Sequence, residues 1–336
     1  MEIKDLAGIS EPLTRLIEVI SQGVGAVSSS YLIRRNADAR AYEIRVISAA
    51  LQEASEQNNL PVAYKHGEIK VWQKPDDSNL ILNSGSIDER SNLRLDYQER
   101  KRQTNLENVT SVAAAELAGE KFIPEEKPSE DWVARFFGSA QDVSSEQMQS
   151  LWGRILAGEI RKPGSYSLRT LELVRNLSQK EAEKFILIGN MAIQIGESFV
   201  VVTHNKEWLD ENRNITFGLF VELSEIGFLY PSELAKPVFD EPQPEELPFI
   251  YQDKLLLVKR HEIEKEIRLP IWKFTAIGQE LLSLLQANVD YEYLNKVGEF
   301  FMQYGGKAFV GQVTSIEAGV IRYESLREIA AKTSKL

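Results

Sequence analysis

The sequence predicts a mainly α protein with small β parts: long N-terminal helices, a central helical bundle and a C-terminal winged-helix-like α+β module. Three observations carry this expectation. Leu13, Leu16, Ile17, Ile20 and Val24 recur three and four residues apart, the spacing of a single helix face. Met148, Leu151, Trp152, Ile155 and Leu156 repeat that stripe in mid-chain, where it needs a core to cover it. "DKLLLVKR" and "EIRLPIWKF" read as two strands joined by a charged turn, with Thr275 placed to cap the helix that follows.

Taken in order, residues 1–56 hold amphipathic helices. Gly23 and Gly25 interrupt the first, and "YLIRRNADARAYEIRVISAALQEA" continues with alanine and alternating charge, a composition suited to pairing with a second copy. Leu13, Leu16, Ile17, Ile20 and Val24 are therefore the candidate oligomer contacts. Residues 57–128 set one or two short strands, with the apolar run "EIKVW", among turn residues, then a basic helix from about Ile87 to Ala118 and the linker "EKFIPEEKPSED". Residues 129–196 form the expected bundle. There Trp132, Phe136 and Phe137 make an aromatic stripe, Ser144 and Ser178 stand three before Gln147 and Glu181 as in capping boxes, and "RKPGSYS" is a turn. The expected winged module spans 197–290. It comprises the strand "SFVVVT", the helix "TFGLFVELSEIGFLYP" ending near Gly227, the two strands and the capped helix, with "KPVFDEPQPEELPF" as an exposed insertion. Residues 291–336 add the helix "DYEYLNKVGEFFMQYG" and a tail without a clear pattern.

Composition narrows the function. The chain of 336 residues is 43% hydrophobic and 26% charged, the profile of a folded chain large enough for two or three compact units. Its formal net charge of -11 opposes binding to nucleic acid or anionic membrane except through a local basic patch. Cysteine is absent, which excludes disulfides, thiolate-held zinc and a cysteine nucleophile and fits a cytoplasmic setting. The start "MEIKDLAGIS" lacks the basic and apolar pattern of an export signal. Leu16 to Ile33 is the one membrane candidate. Glu18, several serines and two glycines interrupt it, and it falls short of the ~20 apolar residues of a span, which leaves contact with a membrane surface as its membrane option.

Catalytic motifs do not assemble. His66, His204 and His261 are far apart, and "HEIEK" has Lys265 where a zinc helix needs its second histidine, so no metal is expected and the histidines read as surface residues. "GVGAVS" lacks the third glycine of a dinucleotide loop, and "FMQYGGKA" lacks the first glycine and the hydroxyl of a phosphate loop. No cofactor is expected. Glu68 and Lys70 have the acid and lysine spacing of some metal-dependent nucleases, a short pattern that alternating charge on a strand also produces. The helix beginning near Asn214 carries Glu222 and Glu225 and no lysine or arginine through Ala235, which argues against its entering a DNA groove. The candidate nucleic-acid contacts are instead Arg94, Arg100, Lys101 and Arg102 on the basic helix, with Lys259 and Arg260 on the wing.

"EPLTRLIEVISQGVGA", "DWVARFFGSAQDVSSEQMQSLWGRILAGEI", "PGSYSLRTLELVRNLSQKEAEKF" and "FTAIGQEL" together resemble a bacterial family of unknown function, catalogued under the number twenty-eight-oh-six. That resemblance covers most of the chain and implies no catalytic residues. The general layout also looks like abortive-infection proteins of the alpha type, which implies a role in phage defence. Two functions follow as expectations. One is a nonenzymatic oligomeric protein working through protein contacts, with a membrane-acting variant through residues 16–33. The other is a nucleic-acid-binding regulator or nuclease.

Overall fold

The computed structural model describes residues 10–25, 62–65, 68–71, 86–238, 245–260, 267–285, 289–317 and 319–329. The helix expected over 31–54 and the histidines His66 and His261 lie outside them. The chain divides into two compact units, Met1–Ser165 and Tyr166–Leu336.

The first unit contains α1 (Glu11–Val24), a hairpin of β1 (Val62–Lys65) and β2 (Glu68–Val71), and α2 (Ile87–Leu117), α3 (Glu130–Ala140) and α4 (Glu146–Arg161). Its core lies where α1 and α4 pack on α2 and α3. Leu16, Val19 and Ile20 of α1 are buried there, as are Trp132, Phe136 and Phe137 of α3 and Trp152, Ile155 and Leu156 of α4. Trp132 stacks on Phe136 at 5.0 Å, and Phe136 meets Trp152 edge-on at 5.2 Å, so the aromatic stripe is core. Gly153 is where α4 comes closest to α2: an added Cβ would sit 2.5 Å from Val112 Cβ and 2.8 Å from the Val109 carbonyl oxygen.

Only the C-terminal half of α2 joins this core. Leu106, Val109, Ala113, Ala114 and Leu117 are buried, whereas from Ile87 to Thr104 every described side chain except Ser91 and Arg102 is exposed. At 1.5 Å per residue that stretch spans about 27 Å.

The second unit contains α5 (Leu168–Asn176), α6 (Gln179–Gly189), α7 (Lys206–Arg213), α8 (Phe217–Ile226), α9 (Ala276–Leu282) and α10 (Tyr291–Met302). Its strands are β3 (Ile193–Ile195), β4 (Ser198–Val202), β5 (Leu234–Val238), β6 (Glu246–Tyr251), β7 (Lys254–Lys259), β8 (Ile267–Lys273), β9 (Lys307–Glu317) and β10 (Val320–Glu328). All eight form one antiparallel sheet in the order β10-β9-β7-β6-β3-β4-β8-β5. The architecture is thus mixed α and β, with more strand than the sequence patterns suggest. Part of the expected insertion forms β5 and β6, and the patternless tail supplies β9 and β10.

The expected wing needs a correction of pairing. β7 and β8 are strands, but β7 pairs with β6 and β9 while β8 pairs with β4 and β5. The burial pattern gives the reason: Leu255 to Val258 are all buried, on both faces of β7, which suits an interior strand and not an exposed hairpin. Two helix ends match expectation. Thr275 Oγ1 accepts from the Gly278 N–H at 3.1 Å, and Gly227 closes α8 at φ 103°, a left-handed position that favours glycine. Ser178 forms the full capping box with Glu181, whereas α4 is capped one residue later than expected, at Ser145, without a side-chain bond.

Candidate interaction surface

Helix α2 positions the basic run that the sequence singles out. Ion pairing sorts its members. Arg100 bonds to Asp96 at 2.9 Å, one turn back, and Arg102 bonds to Glu99 at 2.9 Å and Asp142 at 3.1 Å. Donating to Asp142 and Glu99 holds the Arg102 guanidinium above its ordinary pKa. Arg94 and Lys101 make no ion pair among the described residues.

Helical geometry separates the charges. At 100° per residue Arg90, Arg94, Tyr97, Gln98 and Lys101 fall on one side of α2, and Asp88, Asp96 and Glu99 fall toward the other. Where α2 meets the α3–α4 connection, Tyr97, Gln98, Lys101, Arg102 and Asp142 line a shallow pocket of about 250 Å³. Its base is fixed: Asn105 donates to the Gln141 carbonyl at 2.8 Å, and Gln149 donates to Asn105 at 3.1 Å. Interleaved with the charges, Ile87, Leu93, Leu95 and Tyr97 are 74%, 59%, 48% and 69% exposed.

The remaining sequence-selected residues lie elsewhere. Lys259 is in the second unit, paired to Glu246 at 2.6 Å and set over the Phe309 ring. The Arg260 N–H bonds the Glu245 carbonyl. In α1, Leu16 and Ile20 are buried against the first unit's own helices, while Leu13, Ile17 and Val24 are partly exposed. Glu68 and Lys70 lie on β2, their side chains outside the described residues.

His204 differs from the expected surface histidine. It packs on the Phe300 ring at 5.1 Å, and burial pulls its pKa down to about 4. Glu159 is likewise buried and accepts from the Gly164 N–H at 2.7 Å, which ties the turn after α4. Arg161 bonds to Glu120 at 2.8 Å and to the Glu116 carbonyl.

Sequence reasoning missed a polar cluster built on Arg213. Its guanidinium forks onto Asp290, bonds Glu292 at 3.0 Å and stacks on the Trp208 ring at 4.5 Å. Burial opposes ionisation of Asp290, yet Arg213 holds its carboxyl below the usual range. Burial also pushes the Tyr251 phenol up to about 12, and its hydroxyl donates to the Asn190 carbonyl. These groups spend their donors and acceptors on one another, the pattern of a structural clamp between α7 and α10. No local signal marks it, because Arg213 and Asp290 are 77 positions apart.

Among the described residues no three histidine, aspartate or glutamate side chains gather as a metal set. Nor, among those residues, is any helix long and apolar enough to cross a membrane. What the geometry defines is an α and β protein with an exposed helical stretch that carries Arg94 and Lys101 on one side. A family model described as "Protein of unknown function (DUF2806)" matches residues 89–298, and the chain belongs to that family. No curated protein and no solved structure matches it.

Proposed function

We propose that the chain is a nonenzymatic interaction protein of the cytoplasm that docks through the N-terminal half of α2, with a second copy of itself as the leading partner. The carrying observation is that this half of α2 leaves the core while exposing Ile87, Leu93, Leu95 and Tyr97. A helix of that length gains little stability from propensity alone in water, so a partner's surface would supply the burial it lacks. Arg94 and Lys101, which make no ion pair among the described residues, would find complementary charge on a second copy of a chain whose formal net charge is -11. The oligomer contact thereby moves from α1, whose Leu16 and Ile20 already serve the intramolecular core.

Light scattering on the eluting full chain tests this. The expected mass exceeds the 38.1 kDa of one chain and falls toward it in Leu93→Asp/Tyr97→Asp. A monomeric wild-type chain at tens of micromolar overturns self-association.

A second reading, nucleic-acid binding, draws on Arg94, Tyr97, Gln98 and Lys101 sharing one side of α2. It predicts salt-sensitive anisotropy with a labelled oligonucleotide, lost in Arg94→Glu/Lys101→Glu. Equal affinity of that variant removes it. The winged module expected from the sequence adds no support for DNA, since α8 carries Glu222 and Glu225 and no basic residue. A membrane-surface role for residues 16–33 is the third reading, tested by liposome flotation. A part in phage defence rests on likeness of layout alone, and phage challenge of a deletion strain tests it.

A further inference from the structure

A different surface, in the second unit, has the makings of a binding site. Between α7, the start of α8 and β8 lies a pocket of about 190 Å³. Trp272 and Phe220 form its floor, 3% and 4% exposed, stacked at 5.0 Å and 16°. Phe217 makes one wall. It is the first residue of α8, 67% exposed, with its ring edge-on to Trp272 at 6.2 Å. An exposed phenylalanine over a buried indole gives the pocket an aromatic side that nothing among the described residues covers.

The other rim is acidic. Glu207 and Asp210 line the pocket from α7, and neither carboxylate has an ion pair or side-chain hydrogen bond among the described residues. Lys206 also lines the pocket, but its ammonium is held by Glu233 at 2.7 Å, and Glu233 further accepts from Thr203 Oγ1. With Glu233 included, the three acids and one lysine leave the rim negative.

We propose that this pocket receives an arginine side chain from a basic segment of a protein partner. The aliphatic stem lies on the floor, the flat guanidinium stacks on Phe217, and its N–H groups reach Glu207 and Asp210. Each part of the lining selects against an alternative. A phosphate or carboxylate meets two free acids, and an apolar side chain leaves those acids unused. A lysine ammonium lacks the planar face that stacks on the ring and the fork that spans two carboxylates. The fit is to a cation with an apolar stem.

The test uses the full chain carrying 5-fluorotryptophan, with N-acetylarginine amide as ligand and its uncharged analogue N-acetylcitrulline amide as control. The expected result is a saturable fluorine shift of one tryptophan resonance, assigned to Trp272 by its loss in Trp272→Phe. Citrulline should leave it unmoved. Phe217→Ala should weaken binding about two- to fivefold, the worth of an exposed cation–π contact. Glu207→Gln/Asp210→Asn should weaken it by a similar factor and remove its salt dependence. All three substituted side chains are exposed, so thermal unfolding should stay near wild type in these two variants. Should Trp272→Phe fail to fold, displacement of the same resonance in ligand-free Phe217→Ala, whose lost ring stood 6.2 Å from the indole, carries the assignment. An equal response to citrulline, unchanged affinity in Phe217→Ala, or no saturable shift overturns the proposal.

Discussion

At the scale of single residues, His204 and Gly153 carry the sharpest consequences. His204 titrates near 4 in the folded chain against about 6.5 when unfolded. Between those values the unfolded chain binds more protons, so stability rises with pH across the window and is complete above it. Denaturant titrations from pH 7 down to 4 should show a loss of roughly 1–3 kcal/mol that His204→Leu lacks. An identical pH slope in the two proteins would refute the assignment. Gly153→Ala places a methyl against Val112 and the Val109 carbonyl, and backbone cannot yield cheaply there. The expected cost is about 1–3 kcal/mol, read as a lowered unfolding midpoint. Neither effect was legible in the sequence: His204 stands between strand and loop without a pattern, and Gly153 sits in the stripe region like any helical residue.

Helices were the more legible elements, because their apolar spacing and end signals are local. The expected limits of α2, about Ile87 to Ala118, match Ile87–Leu117 closely, and α8 stops at Gly227. What spacing does not reveal is that α2 changes role along its length, since its N-terminal half has scattered apolar residues and no continuous stripe. Hydrogen exchange should expose that change. Amides from 87 to 104 should exchange far faster than those from 105 to 117, whose side chains are core, and uniform slow exchange in a verified monomer would contradict the division. Strands β5 and β6 were hidden for another reason. Pro237 and Pro248 sit within them among acids, and proline inside a strand ordinarily argues against one.

For the molecule as a whole, the family and the presence of both helix and strand could be read, but the extent of the sheet and its order could not. Strand order depends on which distant segments meet, and β3 joins β6 through Gln194 and Ile250 without any local mark. The candidate surfaces divide in the same way. The basic run of α2 was visible, while the pairing that occupies Arg100 and Arg102 and leaves Arg94 and Lys101 was not. The pocket under Phe217 joins α7, α8 and β8, and only the folded chain brings them together.

The position of β7 also sets a schedule for synthesis. Its partner on one side, β6, is made immediately before it, but its partner on the other side, β9, follows only after β8, α9 and α10. Until the ribosome has delivered β9, the Leu255–Val258 run keeps one backbone edge open, an invitation to another nascent chain. A chain stopped before Lys307 should therefore be recovered in aggregates, and the hairpin of β9 and β10, though last in line, acts as the closing seal of the sheet.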